Sequence, residues 1–153
     1  MADEIEIRFS SDPRWLRPIR ILLEEFTAKT SLDSTGCHEV MLAVGEALSN
    51  VMRHSYSGDC NQRVWLKCKS HDSMLEIEIR DQGEAFRVSA DSPPPEELRP
   101  GGRGIYLIRT VMDEVEYSRE GDQNLLRMRK VCEPRALQDR QTPLQKTVNN
   151  EDL

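Results

Sequence analysis

The chain has 153 residues, 37% of them hydrophobic and 31% charged, with a formal net charge of -6. That is the size and make-up of one domain able to bury a core, and the negative balance, without any Lys/Arg stretch interleaved with aromatics, excludes a general nucleic-acid binder. No run of about eighteen apolar residues is present to span a bilayer, and the acidic opening "MADEIEIRFS" lacks the layout of a secretion signal, so neither membrane nor export is expected and a cytoplasmic location is.

In chain order, Glu4 to Phe9 alternates apolar and charged residues, the period of a half-buried strand. Ser10, Ser11 and Asp12 then offer helix caps and Pro13 suits a first turn, and Trp15, Ile19, Leu22, Leu23 and Phe26 recur at helical spacing, with Pro18 able to make the start irregular. A second helix is predicted from near Asp33–Thr35 to about His54, followed by a turn in "SYSGDCN". "QRVWLKCKS" and "SMLEIEIRD" alternate as two strands of a hairpin. Gln82 to Arg103 holds four of the eight prolines and reads as a long loop, a feature of functional or disordered segments. "RGIYLIRTVMDEV" reads as a helix, and "EVEYSRE" and "NLLRMRKV" as a second hairpin around "GDQ". The polar segment from Cys132 to Leu153 has no sustained period and is expected to be a flexible tail that adds nothing to the core. The order predicts a two-layer α/β sandwich: one mixed, largely antiparallel sheet with helices on one face.

The four cysteines, Cys37, Cys60, Cys68 and Cys132, form no CxxC pair and have no histidine at zinc-finger spacing, which predicts reduced thiols. His38 and His71 read as loop or surface imidazoles.

Three features carry candidate chemistry. At ~100° per residue, Val40, Val44, Ala47, Leu48 and Val51 share one face of the second helix, and Glu39, Glu46, Asn50 and Arg53 share the other. Glu46 and Asn50 are therefore neighbours, either on a solvated face or on the floor of a site. Next, a strand ends directly in Asp81 with Gly83 two residues on. Such an aspartate can accept from an exocyclic amine, and the glycine lets backbone approach a flat ligand; a plain Asp/Gly turn is the alternative. Third, Gly101, Gly102 and Gly104 precede a helix, where backbone N–H groups can converge on an anion or the glycines can act only as a hinge.

Taken in order, the Glu/Asn helix, strand-DQG, long loop and GGRG helix resemble the GHKL-type ATPase superfamily with its N, G1 and G2 boxes. Within it, "LAVGEALSNVMRHSY" and "GGRGIYLIRTVMDEV" resemble the compact branch of bacterial anti-sigma-factor serine/threonine kinases, over roughly Ile5 to Val131. The resemblance implies a Bergerat-type ATP-binding fold over residues 1–131, with ATP and magnesium as cofactors. By it Glu46 is the general base, Asn50 the magnesium ligand, Asp81 the acceptor of the adenine amine, and Gly83 the residue that makes room for the ring. Gly102 and Gly104 cradle phosphate with Gly101 assisting, and Arg103 faces either phosphate or solvent. His54 matches a frequent histidine of the first box, with a structural role equally open, and residues 88–100 stand where the family has its ATP lid.

The implied substrate is a serine or threonine of a STAS-class antagonist protein, the implied second partner a sigma factor, and the implied assembly a homodimer, with Arg17 and Arg20 of the first helix on a docking surface or in solvent. A non-catalytic ATP-binding module and a detached histidine-kinase-like ATPase are the alternatives; a sensor histidine kinase would be expected to carry a phospho-accepting histidine helix ahead of this domain, and that reading is the less favoured. The sequence departs from the superfamily at Asn124, about where a Gly-Thr pair often precedes the last strand.

Overall fold

A computed structural model of the chain describes residues 2–71, 73–86 and 103–132. Strands β1 (Asp3–Ser10), β2 (Arg63–His71), β3 (Met74–Asp81), β4 (Glu114–Glu120) and β5 (Gln123–Val131) form one sheet in the order β1-β2-β3-β5-β4. Among the described residues every pairing is antiparallel, with no mixed segment. Helices α1 (Leu16–Thr27), α2 (Ser34–Asn50) and α3 (Arg103–Val111) complete the two-layer α/β sandwich.

The period-two pattern decides which sheet face carries the helices. Register sets Ile7 beside Leu66, Leu66 beside Ile79, and Ile79 beside Leu126, and these pack with Leu23, Val44 and Leu48 in one apolar core. The opposite face is a charge ladder. Arg127 gives two hydrogen bonds to Glu78 at 3.0 and 2.9 Å, and Arg129 bridges Glu76 at 2.6 Å and Glu114 at 2.8 Å. Such pairs contribute only ~0–1 kcal/mol each, but they commit that face to water.

Local chemistry sets the helix ends. Asp12 caps a single 3-10 turn, Pro13–Trp15, that leads into α1, so the irregular start lies just ahead of Pro18. Pro18 falls in the first turn of α1, where its missing N–H has no intrahelical partner to lose. The Asp33 carboxylate caps α2 by accepting from the Gly36 N–H at 2.7 Å. At its other end α2 widens into a π turn, Val51–Ser55, rather than continuing as regular helix to His54.

The third helix is shorter than its pattern suggested, stopping at Val111 instead of Val115. Edge pairing overrides the helical period there: the Asp113 N–H donates to the Arg129 carbonyl at 3.0 Å and the Val131 N–H to the Asp113 carboxylate at 2.6 Å. Lys130 then closes the helix end, donating to the Val111 carbonyl at 2.6 Å while pairing with Glu39 of α2 at 2.6 Å. Glu39 is thus an anchor between layers, not part of a solvated stripe. Cys132, expected in the tail, is 2% exposed, and its N–H donates to the Ser73 carbonyl at 2.9 Å, so the core extends one residue further. The rest of the tail, residues 133–153, lies outside the described residues, as does the stretch 88–100.

One contact ties the helical layer to the end of the sheet. The Glu84 N–H donates to the Ser55 carbonyl at 2.9 Å, and a Cβ on residue 83 would lie 2.2 Å from that same oxygen. Only glycine fits. Gly83→Ala is therefore expected to cost at least ~1–3 kcal/mol of unfolding free energy. An unchanged urea midpoint would contradict this packing.

All four cysteines are free, Cys60 exposed and Cys68 and Cys132 buried; burial pushes the Cys68 thiol up to about 12. At pH 8 a thiol reagent should label Cys60 first and reach Cys68 and Cys132 only on unfolding, as read by peptide mass spectrometry. Equal labelling of Cys60 and Cys68 in the native protein would contradict the fold.

Candidate functional site

The sheet's β3–β5 pair ends in two buried polar residues set face to face. Asp81, the last residue of β3, lies opposite Asn124 of β5 and is 4% exposed; Asn124 is 7% exposed. Buried polar groups need partners, and these two satisfy each other. The Asn124 Nδ2 donates to Asp81 Oδ1 at 2.9 Å and to the Glu84 carbonyl at 2.7 Å. Asp81 Oδ1 also accepts from the Gly83 N–H at 2.9 Å, closing the DQG turn back onto the strand end. Asn124 Oδ1 accepts from Arg119 Nη1 at 2.9 Å and from the Phe86 N–H at 3.3 Å.

This pair borders a cavity of about 380 Å³ whose walls include Asn50, Ser55, Asp81, Phe86, Arg109, Tyr117 and Asn124. Phe86 and Tyr117 stack with ring centroids 5.2 Å apart, giving the cavity an aromatic wall beside its carboxylate. Burial pushes the Tyr117 hydroxyl up to about 12, against the opposing pull of the Arg109 charge, so the wall stays neutral. Burial likewise raises Tyr56, with the Asp81 charge adding to it and the Gln82 hydrogen bond opposing. The Tyr56 hydroxyl accepts from the Gln82 N–H at 2.7 Å and donates to the Arg63 carbonyl, which pins the residue after Asp81 from behind. A pocket of mixed polarity with an aromatic wall and one carboxylate suits a flat heteroaromatic group that carries an amine.

Glu46 and Asn50 lie one turn apart on α2, under the first turn of α3. A Cβ on Gly104 would fall 2.8 Å from Glu46 Oε2 and 3.4 and 3.6 Å from the Asn50 amide atoms, so glycine lets the α3 backbone rest on the pair. The positive end of the α3 dipole therefore lies close to both polar groups. The two residues border different spaces. Asn50 lines the cavity beside Asp81, whereas Glu46 lines an open groove of about 700 Å³ between α1 and α2, shared with Arg17, Arg20, His38 and Leu42.

The structure thus brings together Asn50 and Asp81 around one cavity, Gly83 in its seam, and Gly104 over Glu46 and Asn50. Arg103 opens α3 and is exposed. Gly101 and Gly102 lie outside the described residues. Arg53 and His54 are exposed and line neither the cavity nor the groove. Asn124, noted in the sequence only as a departure, is an integral part of the cavity, and Arg119 and the Phe86–Tyr117 wall were not singled out. Asn124 had one available signal: it is in phase with Leu126 and Met128 on the buried side of β5.

No group of three or more His, Cys, Asp or Glu side chains that could hold a metal is present among the described residues. Magnesium does not require one, because it keeps waters and phosphate oxygens and takes only one or two protein oxygens. The Asn50 amide oxygen, on the wall of the cavity, is a hard donor of that kind and fits the ion.

Comparison with known proteins agrees with this geometry. The family model described as a histidine kinase-like ATPase domain matches residues 9–130. Similar proteins include serine-protein kinase RsbW of Bacillus licheniformis, 29% identical over 123 residues that cover 74% of this chain and 77% of the relative. The Listeria monocytogenes RsbW is 24% identical over 131 residues, covering 79% and 83%. Among solved structures, the RsbU and RsbW domains of a Mycobacterium tuberculosis protein superpose with a TM-score of 0.62 at 15% identity, over 86% of this chain and 33% of that one. A histidine kinase domain from Erythrobacter litoralis gives 0.50 at 18% identity, over 78% and 60%. The chain belongs to the histidine kinase-like ATPase domain family and, within it, to the group of the RsbW serine-protein kinases.

Proposed function

We propose that the chain is an ATP-dependent protein serine/threonine kinase that acts as an anti-sigma factor in a partner switch, with residues 1–131 as its kinase domain. The observation that carries this reading is the division of the Glu46/Asn50 pair between two spaces, a cavity with one carboxylate and an aromatic wall that suits a nucleobase and a larger groove between α1 and α2 that suits a protein. An enzyme that only hydrolysed ATP would have no need of the second.

Bound ATP supplies the γ-phosphoryl group, and magnesium neutralises charge on the phosphates. Asp81 accepts from the exocyclic amine of adenine, Gly83 gives the ring room, and the stacked Phe86–Tyr117 pair walls it on one side. Asn50 supplies an oxygen to the metal. Gly104, with Gly101 and Gly102 ahead of it, presents backbone N–H groups at the start of α3 to phosphate oxygens, and Arg103 adds a fork of donors there. Glu46, on the groove side, takes the proton from the acceptor hydroxyl as it attacks.

The acceptor is a serine or threonine of a STAS-class antagonist that seats its polypeptide against α1 and α2, beside Arg17 and Arg20. A sigma factor is the second partner, released or bound according to whether the antagonist is phosphorylated. The names of the RsbW relatives support the kinase activity, and the groove's rim of charged groups of both signs among apolar side chains supports a protein ligand.

Pure protein mixed with labelled ATP, magnesium and candidate STAS-class proteins should transfer label to a serine or threonine. Label in inorganic phosphate alone would favour a plain ATPase. Glu46→Ala is expected to lower transfer by about 10²–10⁴-fold with ATP affinity kept; full transfer by that variant would remove Glu46 as the base. Asp81→Asn should weaken ATP binding by about tenfold or more, the worth of a hydrogen bond to a charged group. Equal affinity by calorimetry would count against the adenine contact.

A further inference from the structure

Strand β1 is one edge of the sheet, and its register fixes which groups that edge presents. The Ser11 N–H donates to the Gln62 carbonyl at 2.8 Å, and the same register continues through Phe9 beside Val64, Ile7 beside Leu66 and Ile5 beside Cys68. In an antiparallel ladder alternate residues turn their backbone groups to the same neighbour, so Ile5, Ile7 and Phe9 spend theirs on β2. The backbone groups of Glu4, Glu6 and Arg8 therefore point away from the sheet. Such an edge pairs with another strand unless charge prevents it.

Charge here permits one arrangement. Two copies of a strand related by a two-fold axis pair residue for residue about that axis, and residues set opposite share a face. An axis at Ile7 puts Glu6 against Arg8 of the second copy and Arg8 against its Glu6, with Ile5 against Phe9 on the helix side. An axis at Glu6 would set two carboxylates together, and one at Arg8 two guanidiniums. Glu6 and Arg8 are exposed and, among the described residues, in no ion pair, whereas Glu4 takes Lys67 at 3.1 Å. The other edge differs: β4 carries Glu114, Glu116 and Glu120 on its outer face, and an axis at its middle residue, Tyr117, would oppose Glu114 to Glu120.

We infer that the β1 edge takes a second copy of this chain, antiparallel about a two-fold axis at Ile7, so that the two sheets join into one. The helical layer agrees. A groove of about 380 Å³ between α1 and β1 lies beside this edge, lined in part by Ile5, Leu22 and Phe26, and Leu22 is 39% exposed. The axis stands perpendicular to the sheet, so both helical layers lie on one side and the two α1 helices flank it, covering Leu22 and the groove. This pairing depends neither on the ligand of the cavity nor on the kinase reading.

Sedimentation velocity on the full chain over a concentration series tests it, and the wild type is expected to form dimers. Glu6→Arg sets like charges at both Glu6–Arg8 contacts, and Arg8→Glu does so with the opposite sign. Each alone is expected to weaken dimerisation by about tenfold or more. An equimolar mixture of the two variants restores opposite charges at both contacts of the mixed pair, and is expected to recover dimers. Both side chains are exposed, so the circular dichroism of each variant should match wild type. A wild type that stays monomeric throughout the series would overturn the inference. Single variants as dimeric as wild type would overturn it too, as would a mixture of folded variants that remains monomeric.

Discussion

The contact of the Ser55 carbonyl with Gly83 and Glu84 is the constraint on which the rest of the site depends. It joins the end of α2 to the turn after β3 with no space for a side chain between them. Because Asn50 precedes that junction by little more than one turn and Asp81 stands two residues before Gly83, the contact fixes the two ends of the cavity relative to each other. The π turn over Val51–Ser55 belongs to the same device: widening the last turn of a helix re-aims its carbonyls, and here it directs Ser55 toward the sheet.

The central helix serves two spaces at once, and its composition shows how. Ala43 and Ala47 are buried and small, and Gly104 lets α3 settle directly on the Glu46/Asn50 pair. Polar groups can then sit between helices without the cavity walls being held apart. Lys130 secures the far end of α3 by joining it to Glu39, so the third helix is held at both ends, by backbone contact over Glu46 and by a charge at Val111. In energetic terms the core supplies stability and the polar pairs supply position, since an ion pair with partial exposure contributes little on its own.

Local and non-local information were unequally legible in the sequence. The strands declared themselves because alternation is a local property: Val64, Leu66 and Cys68, or Leu75, Ile77 and Ile79, need no knowledge of their neighbours. Asp33 and Asp12 marked helix starts for the same reason. Sheet order did not declare itself, because β5 pairs with β3 across an intervening helix and strand, and that pairing alone puts Asn124 against Asp81. The end of α3 was misread since Met112 continues the helical period and is buried, yet the chain has already turned toward the edge of β5. Glu46, Asn50, Asp81 and Gly83 stand out as candidates only as a set. Each has an ordinary reading, and their order along the chain made the difference.

The central claim is that the space bounded by Asp81, Asn50 and the Phe86–Tyr117 wall holds an adenine nucleotide. Its most direct test is a titration of isotope-labelled protein with magnesium-ADP followed by amide NMR. The account predicts shifts in the backbone amides of Gly83, Glu84 and Phe86 and in the side-chain amide of Asn124, with β1 and the outer face of the sheet unmoved. Nucleotide that binds while leaving those four signals in place would contradict it.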